Sequence, residues 1–258
     1  MLTQQVLRVV KIGGNELDGP TWVADCARAL KGAGSIVVVH GGGRAVTEWS
    51  QRLGLPVEKR DGMRVTTPEI AELVEMVLSG PINRVLVSAL RAAGLDAIGL
   101  SGVDGGLLTA RVRADLGEVG EIVSVRGSLL QSLLLAGFTP VIAPVAPTPT
   151  APTRPLNVNA DQAAAAIAAA LDAQELLFVS DVPGVTIDGV TQPTLAAAEI
   201  EQMIEGGRAT DGMAAKLRAA GLALEAGVRA VRIGDLDMLE DATAGTRLLA
   251  APPAVQPA

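Results

Sequence analysis

The chain has no tyrosine, two phenylalanines and two tryptophans in 258 residues, so aromatic side chains cannot build its core. With 49% of residues hydrophobic, the interior must come from Ala, Val, Leu and Ile, as in parallel sheets covered by helices. A single cysteine, Cys26, excludes an intrachain disulfide and suits a reducing compartment. Within TWVADCARAL it reads as a core or half-buried position. The one histidine, His40, cannot form a metal site alone and reads as structural or loop-orienting. No GxxxxGK[ST] loop is present, and no GxGxxG follows the first strand, which weakens the case for a dinucleotide-dependent oxidoreductase. A net charge of −7 argues against nucleic-acid or acidic membrane surfaces and leaves small anions open. The N-terminal MLTQQVLRVVKIGG lacks the apolar segment of a signal peptide. No run of about 18 clearly apolar residues is expected to span a membrane, so the expected location is the cytoplasm.

Short β-branched runs recur at 7–12, 36–39, 97–100, 141–143, 176–179 and 230–233, several ending in glycine or a polar turn. Helical patterns fall between them at 21–32, 44–53, 68–78, 81–93, 127–136, 160–172, 196–205 and 212–226. The alternation implies βαβ units, a largely parallel sheet, and a ligand site beyond the carboxyl ends of its strands. Residues 54–66 read as a hairpin turning at Asp61-Gly62. Residues 143–155 (APVAPTPTAPTRP) are too rich in proline for a helix or a central strand, and on composition suggest a linker.

Candidate site residues cluster at the strand ends. HGGG (40–43) sits between a strand and a helix, and three glycines favour an anion cradle over a plain tight turn. Lys11, at the end of a buried strand, needs a partner to offset its desolvation. Arg64 follows the hairpin turn and has the geometry to fork a carboxylate, though neighbouring Lys59 and Arg60 fit a solvated face equally well. Lys216 lies one turn inside a helix and reads equally as a surface lysine. NVNAD (157–161) places Asn157, Asn159 and Asp161 before an alanine helix that needs only one cap.

Together KIGG (11–14), HGGG (40–43), DGMRVT (61–66), NVNADQAA (157–164), SDVPGV (180–185) and TDGMAAK (210–216) resemble the amino-acid kinase family over nearly the whole chain. The resemblance implies an α/β fold with a mixed, mainly parallel open sheet sandwiched between helices. It also implies two lobes, 1–172 for the amino-acid substrate and 173–258 for ATP, with the proline-rich segment inside the first. The implied reaction is transfer of phosphate from ATP to the γ-carboxylate of N-acetyl-L-glutamate. Alternatives are a carrier-bound α-aminoadipate or glutamate acceptor, and a non-catalytic amino-acid sensor. The roles implied are catalytic for Lys11, Lys216 and Asp161, and substrate-binding for Gly42, Gly43, Arg64 and Asn157. Gly13, Gly14, Ser180, Asp181, Val182, Pro183, Gly184, Val185, Arg208, Ala209 and Thr210 would bind nucleotide. Mg2+ would arrive with ATP, and no residues are assigned to a protein-held metal. Arginine-inhibited members of the family have an added N-terminal helix, so a homodimer insensitive to arginine is expected.

Overall fold

A computed structural model describes residues 6–14, 17, 19–60 and 62–250. The chain opens with β1 (Leu7–Ile12), α1 (Pro20–Lys31), β2 (Ser35–His40) and α2 (Gly43–Arg52). A ribbon of β3 (Lys59–Arg60) and β4 (Met63–Arg64) leads to α3 (Pro68–Val77), α4 (Asn83–Ala92) and β5 (Ala97–Ser101). Next come β6 (Leu108–Val112), β7 (Val119–Val125), α5 (Gly127–Leu135), β8 (Thr139–Ala143), β9 (Val145–Thr148) and β10 (Ala151–Val158). The alanine helix α6 (Ala160–Ala170) is followed by β11 (Glu175–Val179), β12 (Thr186–Ile187), β13 (Val190–Thr191) and β14 (Thr194–Ala196). The last elements are α7 (Ile200–Glu205), α8 (Asp211–Glu225), β15 (Val231–Gly234), α9 (Asp237–Glu240) and β16 (Thr246–Leu249).

The main sheet has eight strands in the order β14-β16-β15-β11-β1-β2-β8-β5. From β15 to β5 every neighbouring pair is parallel. β16 runs antiparallel to β15, which makes the sheet mixed but mainly parallel, as expected. Side chains alternate between its faces. Val9, Val37, Val39 and Phe178 pack under α6 and α8, while Val10, Ile12, Val38 and Leu177 pack under α1 and α4. The sheet is thus covered on both faces, and Cys26 is core. Alanines 163, 164 and 168 of α6 are fully buried, and their short side chains let this helix lie close over β1.

One expectation needs correction. The proline-rich segment is neither linker nor simple loop, because it forms β9 and β10 of a second sheet, ordered β6-β7-β10-β9. β10 is interior only at Asn157 and Val158, where it meets β7. Its prolines, Pro152 and Pro155, lie where it pairs with β9 alone across a register shift. A proline without an N–H costs no ladder bond there. Residues Pro68–Ala92 form a 25-residue helical run containing an 18-residue window of mean hydropathy 1.4, which by length and composition alone could cross a membrane. The run joins α3 to α4 through a π-turn at Leu78–Ile82 that contains Pro81, with Gly80 non-helical. Its apolar faces are spent on the fold. Ile70, Leu73 and Val74 pack with Val46 and Ala143, whereas Leu86 and Leu90 pack with α1. The hairpin forms as expected, with Lys59 opposite Arg64. Gly62 turns at φ +76°, and Asp61 lies outside the described residues.

At the amino ends of the central strands, Glu175 accepts from Arg8 Nε at 2.8 Å and from Arg232 Nε at 2.7 Å, tying β1, β11 and β15 together. Arg232 also donates to the Asp241 and Ala244 carbonyls. Burial alone would raise the Glu175 carboxyl, but the two arginines outweigh it and hold its pKa below the usual carboxylate range. Glu175→Ala would leave the Arg232 guanidinium, only 7% exposed, without its counter-charge. We expect a loss of about 3 kcal/mol in urea unfolding, in keeping with breaking one side of a buried pair.

Candidate active site

The carboxyl ends of the parallel strands open onto a cavity of about 290 Å³. β1 delivers Lys11 to it. Because Val10 and Ile12 point to the α1 face, the intervening Lys11 points to the α6 face, where it is 6% exposed. There its Nζ lies 2.8 Å from Asp161 Oδ1, a charge contact whose angle falls outside hydrogen-bond geometry. Asp161 sits in the first turn of α6, where the helix dipole favours an anion. It is not the cap. Asn159 Oδ1 accepts from the Asp161 and Gln162 backbone N–H groups at 2.9 and 3.1 Å, so capping falls to Asn159. Lys216 enters the cavity half-buried from α8.

The two glycine turns press backbone against backbone. A Cβ on Gly14 would collide with Gly42 N and Cα, and one on Gly41 would lie 3.0 Å from Gly14 N. Gly13, Gly14, Gly42 and Gly43 all line the cavity. The Gly13 N–H, however, is already given to the Val179 carbonyl at 3.1 Å, extending the ladder beyond β1. Gly13 therefore shapes the turn, with its N–H committed to the sheet. Gly43 begins α2, and a Cβ there meets nothing within 4 Å.

Arg64, 8% exposed, forms the opposite wall. Its Nη2 donates to the Gly43 carbonyl at 2.9 Å and to Thr47 Oγ1 at 2.6 Å. Its Nη1 is buried with no hydrogen-bond partner among the described residues. Burial lowers the pKa of this guanidinium, yet arginine remains a cation at any physiological pH. A charged, half-satisfied fork facing a cavity is suited to a carboxylate. Asn157 reaches the cavity from β10 and is held by a 3.1 Å bond from Nδ2 to Thr66 Oγ1.

Of the remaining sequence-predicted residues, Ser180 and Asp181 line the cavity, whereas Val182, Pro183, Gly184, Val185, Arg208, Ala209 and Thr210 do not. Val185 and Ala209 pack their side chains into the core, and the Val185 N–H is taken by Thr246 Oγ1 at 2.8 Å. These two hold their loops in place from below. Residues the motifs did not assign also appear: Lys59 of the hairpin, and an apolar wall of Val46, Val74 and Leu78. Val74 and Leu78 are spaced like any core pair on one helix face, so nothing in the sequence marks them as lining a site.

The amino acid kinase family profile matches residues 7–235. The chain belongs to the amino acid kinase family. Family relatives include the acetylglutamate kinase of Chloroflexus aurantiacus, 46% identical over 93% of this chain and 96% of its own. That of Roseiflexus sp. is 45% identical over 90% and 89%, and that of Geobacillus kaustophilus 44% identical over 82% and 83%. Among solved structures, a protein of Streptococcus mutans superposes with a TM-score of 0.83 at 26% identity, covering 95% of this chain and 99% of that one. N-acetylglutamate synthase from Neisseria gonorrhoeae shares the fold, with a TM-score of 0.82 at 22% identity over 96% of this chain and 60% of that one. A carbamate kinase from Giardia lamblia does so at 0.71 and 14%, over 97% and 100%.

The glycine contacts separate two roles by experiment. Gly14→Ala must push the two turns apart and should lower the melting temperature by several degrees, as overpacking of about 1–3 kcal/mol would. Gly43→Ala has room for its methyl and should melt within about a degree of the parent. Thermal unfolding by circular dichroism checks both.

Proposed function

We propose that the protein transfers the γ-phosphoryl group of ATP to the γ-carboxylate of N-acetyl-L-glutamate, giving N-acetylglutamyl 5-phosphate and ADP. The observation that carries this reading is the convergence of an ion-paired lysine, a second lysine and a buried arginine with an unpartnered Nη1 on one cavity. The relatives named acetylglutamate kinase support the choice of acceptor.

The chemistry follows from charge. A carboxylate is ionised at neutral pH, so attack on phosphorus needs no general base. It needs two anions brought together in line and the charge of the transition state met. Arg64 would hold the acceptor's α-carboxylate with Asn157 beside it, and Val46, Val74 and Leu78 suit the acyl and methylene carbons. Gly42 and Gly43 would present backbone donors at the start of α2. Lys11 and Lys216 would stabilise the transferring group, with Asp161 offsetting their mutual repulsion. Among the described residues, Asp161 and Asp181 are the two carboxylates lining the cavity. With Asp161 engaged by Lys11, Asp181 is the one whose oxygens fit Mg2+ carried on the phosphates. That ion would neutralise part of the phosphate charge.

We assign the acceptor to residues 1–172 and the nucleotide to 173–258, with the turns at 180–185 and 208–210 around the nucleotide. The same reading makes the protein a cytoplasmic homodimer, with light scattering as its check.

An ADP-release screen of N-acetyl-L-glutamate, glutamate, aspartate, carbamate and carrier-bound aminoadipate tests the acceptor. Turnover should be highest with N-acetyl-L-glutamate, and a preference for any other acceptor rejects the assignment. Arg64→Lys keeps the charge but loses the fork, so the acceptor KM should rise well above any change in the ATP KM. Asp161→Asn leaves the Asn159 cap intact but leaves Lys11 buried without its anion. Turnover should drop about 10²-fold or more, as for oriented charge in other sites. ATP should raise the melting temperature of this variant more than that of the parent, because phosphate replaces the missing charge.

A further inference from the structure

His40 closes β2, is fully buried, and is assigned no part in the chemistry above. Its surroundings determine where its proton lies. Asn83 Nδ2 is 3.0 Å from the Val141 carbonyl and 3.1 Å from His40 Nε2, and Asn83 Oδ1 is 2.5 Å from Arg84 Nη2. A carbonyl only accepts and a guanidinium only donates, so the orientation of the Asn83 amide is set at both ends. His40 Nε2 therefore faces an N–H and presents its lone pair. The ring proton is on Nδ1, which donates to the Gly41 carbonyl at 2.8 Å. A second proton, on Nε2, would oppose the Asn83 N–H. Complete burial acts in the same direction and lowers the His40 pKa to about 4. The imidazole is neutral and in one tautomer.

This bond determines how the glycine turn is aimed. The Gly41–Gly42 peptide is trans, and in a planar trans peptide the N–H points opposite to the C=O. With the Gly41 carbonyl pinned toward the buried ring, the Gly42 N–H is directed away from it. Gly41 has no side chain, and its own N–H is held by the Ile12 carbonyl at 2.9 Å. The peptide's remaining freedom is rotation of its plane, which the imidazole bond removes.

We propose that His40 and Asn83 are positioning residues that act through the Gly41 carbonyl to aim the Gly42 N–H at the transferring phosphoryl group. The proposal rests on the phosphoryl-transfer reading, which the ADP-release screen of the parent enzyme tests separately. In His40→Leu the peptide loses its anchor, and kcat should fall about 10²-fold, the usual cost of one misplaced donor. The KM values for ATP and acceptor should change only a few-fold. In His40→Asn the side-chain amide nitrogen stands near the position of Nδ1, and kcat should recover at least tenfold over His40→Leu. Asn83→Leu should lower kcat less than His40→Leu, and the double variant should fall short of the product of the two losses.

A folded His40→Leu with unchanged kcat would overturn the proposal, as would His40→Asn no better than His40→Leu or strictly multiplicative losses. One measurement needs no variant. The 15N spectrum of the imidazole in the parent protein should show a protonated Nδ1 and an unprotonated Nε2 at neutral pH. The opposite tautomer, or a charged ring, overturns the proposal even if every variant fails to fold.

Discussion

Lys11 and Asp161 form an ion pair that is under one-tenth exposed on both sides, and much of the fold around the cavity is arranged to tolerate it. An ammonium at the end of a buried strand is costly unless an anion comes to it. The anion is carried on α6, whose buried face is alanine apart from Ile167, which lets the helix approach β1 closely. A row of leucines would hold the helix several ångströms farther out. The lysine, the alanines and the aspartate thus satisfy one requirement. Asn159, two residues before Asp161, fixes the first turn so that the carboxylate is presented at the right height.

The second constraint is the contact between the two glycine turns. Parallel strands side by side bring the loops after β1 and β2 together, and here main-chain atoms of Gly14 lie against those of Gly41 and Gly42. This leaves peptide groups, rather than side chains, as the inner surface between Lys11 and α2. Peptide orientation then matters as much as residue identity. The Gly13 N–H is consumed by Val179, the Gly41 N–H by Ile12 and the Gly41 carbonyl by His40. Each of these bonds removes a direction in which the loop could relax.

Charge is distributed to match. The molecule as a whole carries −7, yet Lys11, Lys59, Arg64 and Lys216 meet at one cavity that among the described residues has two carboxylates, one of them engaged by Lys11. A local basic site in an acidic protein concentrates anions where they are wanted and repels them elsewhere. At the opposite ends of the same strands, Glu175 between Arg8 and Arg232 uses charge only to hold strands in register.

Periodicity and glycine placement in the sequence determined the alternating strands and helices of the main sheet and the cluster of glycine turns at its carboxyl ends. They also pointed to the polar group ahead of the alanine helix. Those features are local, written in spacings of two and 3.6 residues and in residues that tolerate unusual backbone geometry. Tertiary structure decided which of the three polar residues at 157–161 is the cap, because that depends on where the helix actually starts. It decided that a proline-rich stretch is sheet, because pairing on one side only is a property of the neighbours. It decided that the apolar run at Pro68–Ala92 faces two protein cores, since composition measures how apolar a helix is and not what covers it. It also decided that His40, alone in the sequence, holds one proton on Nδ1, because only folding brings Asn83, Val141 and Arg84 around it.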